Sequence, residues 1–565
     1  MLLEIKLENL PNHAKEAKVT EVCKKAGDKV NGNDILFTVE ANKSAMEIYA
    51  DAVGIMEKIT VQVGDLVKVG QVVAIIDGEK VQAHNTTNQF DYFANLLKPM
   101  KQEIKTDVAI IGGGPGGYVA AVKAAQLGAN VVLIEKDSLG GTCLNRGCIP
   151  TKAFVRSAEI YSHLKNAEHY GCLASHVSLD MKKVLNRKNT VVNQLVQGIK
   201  YLLDKHKVKV IQGMGELLDT ETVFIRNKTH ETYVKAKNII IATGSKKAVP
   251  PIPDLDLENI IDSDQALQLD KLPDKLVIIG GGVIGMEFAF IYANFGVKVS
   301  VIEYFDEILA SCDSDICEEI GQIAAAKGIS VYKGARLKKI IKSEDGQCIV
   351  SFIKDKEYYL TADKVLVAVG RQPELDGLGI EKLGIELNEH GKGIKVNSKM
   401  QTNISNIYAI GDVTNKVLLA HVASHQGIVA VKNIMGQPCE MDYEVIPSAI
   451  FTDPEIAVVG MTEKMAQKTG VSLEVGKFPF AASGKALTLG EYRGFVKVIK
   501  DKATGKLIGG AIIGPHATDL IAELALAIKN QLTPEQVIEV IHAHPTTAET
   551  IHEAVLSLEG SAIHF

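Results

Sequence analysis

No uncharged apolar run in this chain reaches the roughly 18 residues that a membrane-spanning helix requires. The opening "MLLEIKLENL" also lacks the basic start and apolar middle of a secretion signal. Cysteine is scarce, eight in 565 residues, far below the density of a disulfide-stapled secreted scaffold. Positive charge is not in excess: 62 basic against 68 acidic side chains leave a net −6, which argues against nucleic acid as the main partner. These absences describe a soluble, intracellular chain, with a cytoplasmic setting expected. Apolar residues, by contrast, make up 46% of it, enough for several cores, and the length suggests roughly three to five domains.

Residues 1–78 carry a weak internal duplication, "AGDKVNGNDILFTVE" against "VGDLVKVGQVVAIID", with Gly27-Asp28 echoed by Gly64-Asp65. Both copies alternate apolar and polar residues around Gly-Asp turns, which predicts a small all-β domain of two similar halves. Between them, Asn42-Lys43 marks a tight hairpin that would leave Lys43 fully exposed. Residues 79–105 lose the periodic pattern and read as a linker. Its Phe90, Tyr92 and Phe93 suit either a docking spot or a short capping helix.

From Lys105 the pattern becomes α/β. "TDVAIIGGGPGGYVAAVKAAQLGANVVLIEK" is an apolar strand, a glycine turn, an Ala-rich helix and a second strand ending in an acid, and "KLVIIGGGVIGMEFAFIYANFGVKVSVIEYF" repeats it. The glycines are Gly112, Gly114 and Gly117 in the first copy and Gly280, Gly282 and Gly285 in the second. Each third glycine is followed 18 residues later by an acid, Glu135 and Glu303. In such a turn the first glycine bends the chain, the second admits a pyrophosphate to the helix N-terminus, and the third packs helix on strand. The acids would accept hydrogen bonds from ribose hydroxyls and disfavour a 2′-phosphate, so two dinucleotides are expected, the second NAD rather than NADP.

"GGTCLNRGCIPTK" then sets Cys143 and Cys148 five positions apart. As a staple the pair contributes little, about 2 kcal/mol for so short a loop. On a regular helix the two Cα atoms would be roughly 8 to 9 Å apart, beyond disulfide reach, so bonding requires a distorted first turn. A zinc clip wants a second close pair of ligands. Cys312 and Cys317 repeat the offset but lie on an amphipathic helical pattern, and with Cys23, Cys172, Cys348 and Cys439 they read as structural. A redox pair beside the first dinucleotide fits best, because a flavin exchanges electrons with both a dithiol and a nicotinamide.

Together with "IATGS", "IYAIGDV" and "HAHPTTAE", these motifs resemble the flavoprotein disulfide reductase family, and within it the dihydrolipoamide dehydrogenases, over residues 106–565. The resemblance implies two Rossmann-like domains, for FAD at 106–251 and NAD at 252–376. A central domain at 377–446 and an α+β dimer-interface domain at 447–565 would come after them. Cys148 would be the flavin-side thiol that makes a charge-transfer contact, and Cys143 the interchange thiol exposed to substrate. Lys152 would sit near the reactive edge of the flavin, Asp412 at its ribityl chain, and Leu418, Ala420 and His421 along its ring. Gly215 and Gly244 would line the FAD site by backbone. Glu287 would face the nicotinamide, and Gly370 would close the NAD site.

From "HAHPTTAE" the family takes His544 as base and Glu549 as its orienting carboxylate, supplied by the partner subunit of a homodimer; His542, His552 and His564 read as structural. A base is needed because thiols near pKa 8.5 are mostly protonated at pH 7. The N-terminal domain resembles the flattened-barrel lipoyl domains of 2-oxo acid dehydrogenase complexes, with Lys43 as the site of covalent lipoate. Asn42-Lys43-Ser44 departs from the usual Asp-Lys-Ala of that site. The implied activity is oxidation of protein-bound dihydrolipoyl groups with reduction of NAD⁺, alongside a lipoyl-bearing acyltransferase or other complex component. No metal is expected. Reductases for glutathione or mercuric ion are the nearest rivals; Glu303 opposes their NADPH preference, and "SAIHF" lacks the C-terminal cysteine pair of the mercuric enzymes.

Overall fold

The computed structural model describes residues 2–7, 16–31, 34–41, 44–50, 52–80, 100–226, 230–250, 258–344, 346–389 and 392–565. They form two compact units, Met1–Met100 and Lys101–Phe565.

The first unit is the duplicated β domain. One antiparallel sheet runs in the order Leu2–Lys6, Val72–Lys80, Ala52–Ile59, Lys29–Val30, and the other Ser44–Tyr49, Ile35–Ala41, Glu16–Val22, Leu66–Lys68. Their inward residues, among them Val19, Phe37, Val39, Met56, Val67 and Ile76, make one core. The duplication is visible atom by atom. Gly27 and Gly64 take left-handed φ of +90° and +103°. Asp28 and Asp65 each accept from the amide three residues back, Lys25 and Gln62, at 2.9 and 2.8 Å. Each turn then bonds to the opposite half: Gly27 N–H to Met56 O, and Gly64 N–H to Val19 O, both 2.8 Å. Each turn is closed within its own half and anchored by the other, so the two copies brace one another. The strands on either side of residues 42–43 pair antiparallel, with Ala41 opposite Ser44. Lys43 itself, and Phe90, Tyr92 and Phe93, lie outside the described residues.

In the second unit the first glycine turn belongs to a seven-stranded sheet whose centre is Met100–Ile111. That strand takes in residues 100–105, which the polar sequence pattern assigns to the linker. Lys101, Glu103 and Lys105 fall at alternate positions along the strand, and Glu103 pairs with Lys235 at 3.0 Å. Residues 377–446, expected as a separate central domain, instead complete this first fold. Ile407–Ala409 adds to the sheet in parallel, Ile239 opposite Ile407. The helix Ala420–Ile434 packs against Pro115–Gln126 so closely that a Cβ on Gly427 would stand 2.8 Å from Gly116 O. Sequence periodicity carries no sign of such long-range pairing.

The second glycine turn opens from an all-parallel five-stranded sheet, in the order Ile260–Ile261, Lys364–Val367, Lys275–Ile279, Lys298–Ile302, Ser330–Tyr332. The C-terminal segment is a five-stranded antiparallel sheet, Ser448–Ile450 to Leu473–Pro479, with the helices Ala517–Lys529 and Glu549–Leu558 on its core. It is tied to the second fold by Lys497, 0% exposed, whose ammonium lies 2.7, 2.9 and 2.8 Å from Asp313, Asp315 and Glu463. Those carboxylates stand close enough together to hold a cation, and the lysine is that cation. Cys312 and Cys317 are buried beside this junction, where burial raises their thiols to about 11 and about 12.

Candidate active site

The two glycine turns are built alike. Gly112 and Gly280 have φ of +112° and +107°, and a Cβ on either would meet a backbone carbonyl, Ala242 O at 2.2 Å and Ala368 O at 2.5 Å. A Cβ on Gly117 or Gly285 would strike the carbonyl of its own turn's first glycine at 1.8 or 1.9 Å. The middle glycines face open space: beyond Gly114 the nearest atom is Gly141 Cα at 3.9 Å, and beyond Gly282 nothing lies within 4 Å. Both middle glycines are N-caps without a side-chain cap, so free N–H groups of Pro115–Gln126 and Val283–Asn294 point outward. An uncapped helix end with room for a phosphate fits a dinucleotide in each fold.

Each acid braces its own turn. Glu135 accepts from Gly113 N–H at 2.6 Å and Asp137 N–H at 2.7 Å; Glu303 accepts from the amides of Gly281 and, at 2.7 Å, Phe305. Burial pushes the Glu135 carboxyl up. Each carboxylate oxygen keeps a lone pair for a ribose hydroxyl.

The first turn opens onto a cavity of about 530 Å³ by its glycines, while the second reaches it only through Val283 and Ile284. Its wall includes Gly112, Gly114, Glu135, Cys143, Cys148, Lys152, Gly215, Gly244, Asp412, Leu418, Ala420 and Glu287. Gly117 packs beneath it. Gly280, Gly282, Gly285, Glu303 and Gly370 belong to the second fold and do not line it. His421 also stands off, its Nε2 2.9 Å from Pro447 O.

Between Gly141–Arg146 and Cys148–Lys165 the helix breaks at Gly147, with φ −129° and ψ −113°. This is the distorted turn that a five-residue spacing demands, and it sets the two thiols close enough to perturb each other's protonation. Cys148 is drawn down to about 7, chiefly because Cys143 donates its proton to it; burial opposes this and Lys152 assists. Cys143, as donor to that bond and buried, is driven far above the ordinary thiol range. The dithiol is therefore polarised, with the anion held at Cys148.

Lys152 stands one helical turn beyond Cys148. Its ammonium donates to both oxygens of Glu287 at 2.8 and 2.9 Å, joining the first fold to the opening helix of the second. Sequence reasoning named both residues without pairing them. It missed a second bridge: Ser245 Oγ donates to Asp412 at 2.6 Å and accepts from Arg371 Nε at 2.7 Å. Ser245 lies in the "IATGS" motif and Arg371 directly after Gly370, so the signal was present but their contact was not. It also missed Phe451, whose N–H donates to Glu287 Oε1 at 2.9 Å.

At the far end of the chain, His544 Nδ1 lies 2.9 Å from Glu549 Oε1, and Thr546 N–H donates to Oε2 at 2.8 Å. Burial would raise the Glu549 carboxyl, but the Thr546 amide and the His544 ring hold it below its usual range. The histidine side chain is 80% exposed, and neither residue lines the cysteine cavity. His542 and His564 also pair with glutamates, Glu523 and Glu553, at 2.8 and 2.7 Å, and His552 bonds to Ile538 O at 3.2 Å. Pairing with a carboxylate alone therefore does not single out His544.

Comparison with known proteins gives the same division. The pyridine nucleotide-disulphide oxidoreductase model matches residues 106–427, the dimerisation domain of that family 446–555, and the biotin/lipoyl model, described as biotin-requiring enzyme, 4–76. A dihydrolipoyl dehydrogenase of Bacillus subtilis is 44% identical over 471 residues, covering 81% of this chain and 99% of that protein. Another from Chlamydia pneumoniae is 43% identical over 468 residues, 82% of this chain and 99% of that one. Among solved structures, LpdA of Mycobacterium tuberculosis aligns with a TM-score of 0.75 at 28% identity over 80% of this chain and 99% of that one. The HOCl-induced flavoprotein disulfide reductase RclA of Escherichia coli, solved as a Cu(II) complex, aligns at 0.72 and 30% identity with the same coverage.

Proposed function

The chain belongs to the pyridine nucleotide-disulphide oxidoreductase family, and we propose that it is an NAD-dependent dihydrolipoyl dehydrogenase, a homodimer that oxidises protein-bound dihydrolipoyl groups. The observation that carries this reading is the Cys143/Cys148 pair on the wall of the cavity that the first glycine turn opens onto, with the Lys152–Glu287 pair leading to the second fold. Gly112–Gly117, Glu135 and Asp412 would hold FAD, and Gly280–Gly285 and Glu303 would hold NAD⁺; together the two would supply two-electron exchange between the dithiol and a nicotinamide. Gly215 and Gly244 would approach the flavin by backbone, and Leu418 and Ala420 by apolar contact. Gly370 would border the nicotinamide nucleotide.

The thiol chemistry falls to this chain's own residues. The partner subunit's His544, oriented by Glu549, removes the proton from a dihydrolipoyl thiol. That thiolate attacks Cys143 Sγ of the Cys143–Cys148 disulfide; the S–S bond breaks and Cys148 leaves as thiolate. The second dihydrolipoyl sulfur, deprotonated in turn, attacks the lipoyl sulfur of the mixed disulfide, closing the lipoyl ring and releasing Cys143, which takes up a proton. Two electrons now rest on the dithiol, with the anion at Cys148, where Lys152 and the Cys143 thiol stabilise it. His421 is assigned to bracing, through Pro447, the start of the helix that passes the ring.

Residues 1–78 are read as a lipoyl domain, with lipoate on Lys43, linked through 79–105 to the flavoprotein body, whose C-terminal 447–565 forms the dimer interface. A lipoyl-bearing acyltransferase of a cytoplasmic 2-oxo acid, acetoin or glycine-cleavage system is the expected partner. The test is NADH formation from dihydrolipoamide and NAD⁺ by the FAD-loaded enzyme, together with intact mass read for a lipoyl adduct. Glutathione or mercuric ion turned over with NADPH faster than dihydrolipoamide with NAD⁺ would overturn the assignment.

A further inference from the structure

The Lys152–Glu287 pair has a third member that neither dinucleotide fold supplies. Phe451 comes directly after the strand Ser448–Ile450 of the C-terminal sheet. Having left the ladder, its N–H is free to donate to Glu287 Oε1, at 2.9 Å. Its ring lies under Lys152 Nζ, 4.3 Å from ammonium to centroid, within the range of a cation–π contact. Two residues on, Asp453 accepts from Asn294 at 2.8 Å and from Lys327 at 2.6 Å. The turn therefore grips the helix Val283–Asn294 near both of its ends, at Glu287 and at Asn294. Nearby Ala449 lines the cavity itself.

We propose that Phe451 is a positioning residue of the redox centre: its amide fixes the Glu287 carboxylate and its ring face fixes the Lys152 ammonium, so that the C-terminal domain decides where that cation stands relative to Cys148. Glu287 alone holds Lys152 from one side, through two bonds to one flexible partner. The ring adds a contact to the same ammonium from a second partner, 4.3 Å from its centroid. Position matters because the groups that act on the Cys148 thiolate are few. The Cys143 thiol, Lys152 and the Cys148 amide stabilise it, and burial and Glu287 oppose it. A cation displaced from its place near Cys148 leaves the carboxylate's repulsion unchanged and weakens the attraction, so the thiolate becomes harder to form.

This inference rests on the reading of Cys148 as the flavin-side thiol, and the experiment separates the two. Full-length, FAD-loaded enzyme is reduced by two electrons, and its long-wavelength thiolate–flavin absorbance is titrated with pH for wild type, Phe451→Leu, Phe451→Met and Phe451→Tyr. Loss of the ring face is expected to raise the midpoint in the Leu and Met variants, by roughly half a unit, because a cation standing farther from the sulfur stabilises the thiolate less. The Tyr variant, which keeps the face, should titrate with the wild type. Leu and Met midpoints equal to the wild type's overturn the proposal, as does loss of flavin from both variants, which would make Phe451 a packing residue. A wild-type enzyme with no such pH-dependent band sinks the Cys148 reading first and this proposal with it.

Discussion

The two dinucleotide folds share a turn almost atom for atom, and they differ in the segment that succeeds the acid. After Glu135 the chain runs into Gly140, Gly141 and the broken helix that carries Cys143 and Cys148. After Glu303 it runs into Tyr304 and Phe305, both exposed. The shared part is a binding device, dictated by the steric needs of a phosphate at a helix end. On the proposed function the redox chemistry lies in the insertion that carries Cys143 and Cys148, whereas the second copy's pair at the same offset, Cys312 and Cys317, is buried. A glycine turn by itself thus says that a dinucleotide binds and is silent on what the dinucleotide does.

The sharpest way to break this comparison is at the insertion. Cys148→Ser should lower NADH formation from dihydrolipoamide by on the order of 10⁴-fold, while NADH titrated into the variant still binds at the second fold. Retained turnover within tenfold of wild type would mean the insertion is not the redox centre. Next in size is the thiol-side base. Glu549→Gln removes the carboxylate that orients His544 and should lower kcat by about 10²-fold, and His544→Gln by about as much or more; equal kcat in all three proteins would exclude the pair from the reaction.

Glycine substitutions test the two folds against each other. Gly117→Ala forces a Cβ to 1.8 Å from Gly112 O, and Gly285→Ala one to 1.9 Å from Gly280 O. The first variant should purify with little flavin, and the second should keep its flavin but bind NADH roughly tenfold or more weaker. Identical losses in both would show that the folds are not independent binding devices. At Glu303, replacement by Gln should narrow the preference for NADH over NADPH by about tenfold, since the like-charge repulsion of a 2′-phosphate is removed. The smallest effect expected is in pH. With Cys148 drawn down to about 7, the thiolate is present above that pH and lost as pH falls through it, so the long-wavelength absorbance of the reduced enzyme should fade from pH 8 to 6. A midpoint near the ordinary thiol value would contradict the polarised pair.

Much of the site was legible because its parts are local. The three glycines of each turn, the acid 18 residues on and the two cysteines all lie within single βαβ stretches, where spacing along the chain maps onto spacing in the fold. The internal duplication of the β domain was legible for the same reason, although its crossed turns, Gly27 to Met56 and Gly64 to Val19, were not. What could not be read was contact between distant stretches. Lys152 and Glu287 were each named, but 135 positions separate them, and no pattern announces their pairing. Ser245, Arg371 and Asp412 come from three motifs and meet only when the sheet Ser245–Lys247 with Arg371–Pro373 forms. Phe451 carried no signal, since one of its contacts is made by a backbone amide, which every residue but proline possesses, and the other joins its ring to a lysine 299 positions away.

By itself, then, the sequence determined which groups are present: two glycine turns that suit a phosphate, two acids that suit a ribose, one close pair of thiols, one candidate base. Each is a short-range consequence of residue type and spacing. Tertiary structure alone decided their electrical state and order. The helix had to break at Gly147 before one sulfur could donate to the other, and Lys152 had to meet Glu287 and Phe451 before a cation stood beside Cys148. Electrostatic effects fall off with distance through space and not along the chain, so a sequence can supply the charges without showing which of them act on one another.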